Sequence, residues 1–179
     1  MFALDPLREL TRHMEWADAT VWRSVLAHEG ARKDARLRDL LTHLHLVQRL
    51  FLIVWRNDSV LPIRSFGDFA EVAELRERAT AYYPEAREFL GTLDTAALTR
   101  GIVMPFVLEQ EQRLGTKFDV PTLAETIFQV TSHSTYHRAQ VNTRLREVGA
   151  EPPLVDYIAW VWFGKPDADW SQPTGAAAG

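Results

Sequence analysis

Apolar residues return at helical spacing along four long stretches, and that rhythm predicts the architecture. In the first stretch the stripe is Leu7, Leu10, Met14, Ala17, Val21 and Val25, with Asp5 expected as N-cap, Pro6 as the first helical residue and Gly30 as the stop. The second runs from about Ala35 to Arg56 with Leu37, Leu40, Leu41, Leu44, Val47, Phe51 and Trp55 on one face. The third is expected to open at Asp68 and reach about Leu93, through Val72, Leu75, Ala79, Tyr82, Ala86 and Phe89, with Pro84 kinking or interrupting it. The fourth spans residues 123–148, with Leu123, Ile127, Val130, Val141, Leu145 and Val148. Thr122 and Glu125 read as a capping box at its start, and Gly149 and Pro152-Pro153 as its stop.

The segments between these stripes set the connectivity. Residues 57–67 form a connection of roughly ten residues, long enough for a crossover along a bundle. Residues 94–120 lose the helical rhythm, and 100–108 and 113–120 read as two short strands, a small β-hairpin before the last long helix. Residues 156–163 read as a short aromatic closing helix, and 165–179, rich in Ala, Gly, Pro and Asp, as a disordered tail. The expectation is an all-α four-helix bundle with one crossover connection: one domain over residues 1–164, followed by the tail.

Composition narrows the function classes. The 179 residues are 46% hydrophobic and 25% charged, ordinary for a globular domain, and the net charge of −4 argues against a nucleic-acid partner. There is no cysteine, so disulfides, thiolate metal sites and a cysteine nucleophile are excluded together. The N-terminal residues lack a basic segment followed by an apolar one, and the greasiest run, 44–55, is short and broken by Gln48 and Arg49. A cytoplasmic protein with no membrane partner is therefore expected.

The candidate chemistry lies in the fourth helix. His133 and His137 are four apart, offset by about 40° around a helix, so both imidazoles point to one side. Ser134 stands where a zincin protease would have Glu, and no Glu has a His three positions later, which excludes a ferritin-like di-iron site. Phosphate loops and nucleophile elbows are absent as well. A third imidazole would complete a metal site. His43 leads, because it lies nearer the apolar stripe than His45, which points roughly 200° away; His45 and His13 stand behind it. Three neutral nitrogens suit a divalent transition metal, Zn²⁺ or Ni²⁺ first and Fe, Co or Mn next, over Mg²⁺ or Ca²⁺. They also leave a coordination position open for water or substrate.

The run His133-Ser-Thr-Tyr-His137-Arg138-Ala-Gln140 resembles the H-x-x-x-H-R-x-Q signature of the DinB/YfiT-like family of metal-dependent proteins. Trp16-Ala17-Asp18, His43-Leu-His-Leu-Val-Gln48-Arg49 and Asp156-Tyr-Ile-Ala-Trp160 resemble further segments of that family, in the same order between about Pro6 and Phe163. The resemblance implies a four-helix bundle with one crossover, a divalent metal held by His43, His133 and His137, and a homodimer. It also implies reactions on low-molecular-weight thiols for some members. The chain departs from the family pattern at Asp18, Ala139 and Gln48, where Asn, Gly and an acidic residue are commoner, so a relative's substrate does not transfer.

On this reading the protein is a metal-dependent enzyme of thiol-transferase or hydrolase type, its small-molecule thiol supplied from outside because the chain has none. The alternatives are a non-catalytic metal-stabilised or ligand-binding bundle, and a dimeric interaction module with packed histidines. Gln140 is expected to orient a ligand imidazole, Arg138 to form a structural salt bridge, and Gln48 and Arg49 to be packing or surface groups. Tyr136 and Tyr157 are candidate proton donors.

Overall fold

The computed structural model describes residues 3–69 and 71–171. Its helices are α1 (Leu4–Ala27), α2 (Glu29–Lys33), α3 (Ala35–Arg56), α4 (Val72–Thr92), α5 (Val107–Leu114), α6 (Leu123–Glu147) and α7 (Tyr157–Trp162). Side-chain pairs between the helices give the topology. Trp22 meets His45 while Asp18 meets Gln48, so α1 and α3 run antiparallel. Trp55 meets Thr126 while Gln48 meets Ser134, so α3 and α6 are antiparallel too. Arg8 reaches Leu90 while Tyr83 reaches Asp18, which sets α4 against α1. It follows that α3 and α4 are parallel, and the chain between them must travel back along the bundle: this is the expected crossover.

Local chemistry explains most of the boundaries. Asp34 caps α3, its side chain accepting from Leu37 N at 2.8 Å, and Asn57 closes the helix at φ 57°. Thr122 and Glu125 form the capping box expected for α6. Four expectations are corrected. Helix α1 has Ala3 as its N-cap and not Asp5, because an acidic residue and a proline are both accommodated within a first turn whose N–H groups lack helical partners. Its end is at His28, whose side chain accepts from Ala31 N and caps α2, so Gly30 lies inside a short helix. Helix α4 begins after Glu71 and not at Asp68: Arg78 holds the carbonyls of Ser65, Phe66 and Asp68 at 3.0, 2.5 and 2.6 Å and keeps that turn out of the helix. It then continues through Pro84.

The fourth correction is the β-hairpin. Among the described residues there is no strand, only one antiparallel bridge between Gly101 and Thr122. Residues 107–114 are helical because Leu, Glu, Gln and Arg dominate them, and Gly115 at φ 66° ends the helix. Glu111 then fixes the following turn by accepting from Phe118 N and Lys117 Nζ.

The packed chain also passes the boundary expected at residue 164. Lys165 pairs with Glu9 at 2.8 Å and Asp169 with Arg23 at 2.7 Å, while Trp170 lies against Tyr83 with ring centroids 5.6 Å apart. Composition hid this because one indole supplies most of the apolar area in the segment. The rest of the expected tail, residues 172–179, lies outside the described residues.

Among the described residues the core has three apolar clusters: a small one of Trp16, Ala17 and Trp160 under the C-terminal helix, and two large ones stacked along the bundle. One gathers Leu7, Met14, Phe51, Trp55, Leu123 and Ile127; the other gathers Val21, Trp22, Leu37, Leu41, Leu75 and Val141. Between them every long helix contributes a buried polar side chain: Asp18 from α1, His45 and Gln48 from α3, Tyr83 from α4, and Ser134 and Arg138 from α6.

Candidate metal centre

Helices α3 and α6 pack closely, and their antiparallel register places His43 opposite His133 and His137. One nitrogen from each of the three imidazoles lies within 4.8 Å of the others. His133 Nε2 and His137 Nε2 lie 3.1 Å apart. Nitrogens bound tetrahedrally to one ion at about 2.0–2.1 Å stand about 3.3 Å apart, so the α6 pair is already at ligand spacing. His43 is exposed, its ring centroid 5.3 Å from that of His133 and 4.5 Å from that of His137.

The hydrogen bonds fix which nitrogens face inward. Gln140 Oε1 sits 2.8 Å from His137 Nδ1 and can only accept, so Nδ1 carries the hydrogen and Nε2 is left with its lone pair. Gln140 thus holds the ring as expected. His133 Nδ1 is buried without a partner, a costly state for a ring whose other nitrogen faces another imidazole. Burial, together with the neighbouring His137 and His43, pushes the His133 pKa down to about 4. Burial and His43 also lower that of His137, against the opposing pull of Gln140. Both rings are therefore neutral near pH 7, the state in which imidazole binds metal. The donor set, three imidazole nitrogens with no carboxylate, fits a divalent transition metal.

The other histidines go elsewhere. His45 is fully buried; it accepts from Trp22 Nε1 at 2.9 Å and donates to Gln48 Oε1 at 2.8 Å. Desolvation lowers its pKa. His13 donates from Nε2 to Val155 O at 3.0 Å and is boxed by Trp16, Tyr157 and Trp160.

Gln48, expected to be packing or surface, is the hub of the buried polar layer. It donates to Asp18 Oδ2 at 2.8 Å and to Ser134 Oγ at 3.0 Å. Arg138 makes the expected salt bridge, to Asp18 Oδ1 at 2.8 Å, with both side chains about 98% inaccessible. Tyr83 donates to the same carboxylate. Sequence reasoning missed Tyr83 and Ser134 in this role; the available signal was a polar residue at core spacing, such as Asp18 between Met14 and Val21. Tyr136 is exposed with its ring edge-on to His137 at 5.1 Å, whereas Tyr157 donates to Glu9 away from the cluster.

Bundle and site together define a class: an all-α four-helix bundle carrying a three-imidazole cluster compatible with a divalent metal. A family model described as the DinB family matches residues 6–168, and the chain belongs to the DinB family. No curated protein and no solved structure matches it. Among the described residues no helix is long and apolar enough to cross a membrane.

Proposed function

We propose that His43, His133 and His137 hold one divalent transition metal, Zn²⁺ or Ni²⁺ foremost, and that the protein is a metal-dependent enzyme of the thiol-transferase or hydrolase type. The observation that carries this reading is the convergence of three imidazole nitrogens within 4.8 Å, with His43 on the exposed side. An ion there supplies Lewis acidity, lowering the pKa of a water or thiol at its open position. The chain's own residues do the rest. Gln140 orients His137, the packing of α3 on α6 fixes the register, and the exposed edge at His43 and Tyr136 admits a small substrate. The thiol comes from a cosubstrate, since the chain contains no cysteine. A cytoplasmic homodimer with no nucleic-acid or membrane partner completes the proposal.

Metal analysis of protein purified without a histidine tag tests it. Wild type should carry near-stoichiometric divalent metal, and the His133→Ala/His137→Ala protein almost none; equal loading of the two would refute the site. Turnover of a panel of thiols with electrophiles then separates the enzyme from a metal-stabilised binding bundle.

A further inference from the structure

We infer that the groove between α1, α6 and residues 155–157 is a second ligand site, one that takes a small organic ammonium ion with an apolar body. The groove has a volume of about 390 Å³, and none of the three clustered histidines lines it. That volume is within the range of small-molecule sites, which are concave, mostly apolar and furnished with a few convergent polar groups. Leu10, Met14, Phe128, Val155 and Tyr157 supply the apolar wall.

The polar groups lining the groove are nearly all acceptors. The hydroxyls of Thr131 and Ser132 donate to Phe128 O and that of Thr135 to Thr131 O, so only lone pairs remain for a ligand. His13 commits its Nε2–H to Val155 O, which leaves Nδ1 as an acceptor, and burial lowers the pKa of the ring. Asn142 donates through Nδ2 to Pro153 O at 3.3 Å, which fixes the amide orientation; its Oδ1 is buried with no donor. A ligand N–H entering beside it relieves that deficit.

Charge points the same way. The Arg138 guanidinium at the groove is matched internally by Asp18 and bonded to Thr135. Asp156, exposed at the rim, has no cationic partner among the described residues. Acceptors plus one unmatched negative charge call for a ligand that brings N–H donors and a positive charge. An ammonium group supplies three donors, and the rings of Phe128 and Tyr157 add cation–π attraction to the burial of its apolar body. A carboxylate of the same size would meet Asp156 and a wall of lone pairs.

Isothermal titration of the full chain with phenethylammonium and with phenylacetate, at matched ionic strength, tests the assignment. The amine should bind with a Kd in the millimolar range or tighter, and the acid roughly tenfold more weakly or not at all. Asp156→Asn and Phe128→Ala, each shown by circular dichroism to melt as wild type does, should weaken the amine about fivefold. His133→Ala/His137→Ala should leave amine binding unchanged, so this test stands whether or not the metal reading does. Equal affinity for both probes, silence from both at about 10 mM, or indifference to both groove substitutions would overturn the site. So would a Phe128→Asp protein that splits a dimer while the amine fails to bind, because a second copy of the chain would then be the occupant.

Discussion

Two polar clusters lie at the same level of the bundle, both drawing on α3 and α6, yet they behave in opposite ways. The inner one, Asp18, His45, Gln48, Tyr83, Ser134 and Arg138, is shut off from water, and its side chains are bonded to one another. The outer one, His43, His133 and His137, has an exposed member, a buried nitrogen without a partner and two facing nitrogens 3.1 Å apart. A satisfied buried network has nothing left to offer a ligand; its contribution is to bind four helices in one register. An unsatisfied cluster at the margin keeps its bonding capacity, which is compatible with a divalent cation. Polarity inside a bundle therefore divides by its remaining bonding capacity, and only the second kind marks a site for chemistry.

The largest expected effect is on the inner cluster. Asp18→Ala leaves the Arg138 charge buried and unpaired, and urea denaturation should show a loss of about 3–5 kcal/mol. Replacing both members, as in Asp18→Leu/Arg138→Met, should cost much less than either single change, because no buried charge remains. A loss under about 1 kcal/mol for Asp18→Ala would break the distinction between the two clusters.

Gln140→Ala acts on the outer cluster. It frees the His137 ring and should lower metal affinity roughly 10–100-fold, about 1.4–2.7 kcal/mol, in a chelator competition, while the apo stability barely moves. Parallel losses in affinity and apo stability would show that Gln140 merely supports the helix.

A third test reads the pH dependence of metal-free stability. Burial depresses the pKa of His45, so the unfolded chain takes up a proton near pH 6.5 that the folded chain refuses. Stability from this group is complete above that pH and falls as the pH drops below it, by at most about 1.4 kcal/mol per pH unit. Urea midpoints between pH 7.5 and 5 should show this slope. His45→Gln should reduce it without abolishing it, because His13 and His133 are depressed in the same direction.

Much of this was legible in the one-dimensional pattern, and the exceptions have a common cause. The stripes of α1, α3, α4 and α6, the Thr122–Glu125 box and the pairing of His133 with His137 are local properties, set by residues within one or two turns of each other. His43 was favoured over His45 by its place beside the apolar stripe, and the family resemblance then selected it. What the chain could not reveal on its own depends on partners distant in sequence. Arg78 reaching back over ten residues moved the start of α4, and Trp170 found its place only against Tyr83. Gln48 became a hub only once Asp18 and Ser134, 30 and 86 residues away, were brought to it. Periodicity tells which side of a helix faces inward, but a hydrogen bond depends on what stands opposite, and only the packed bundle decides that.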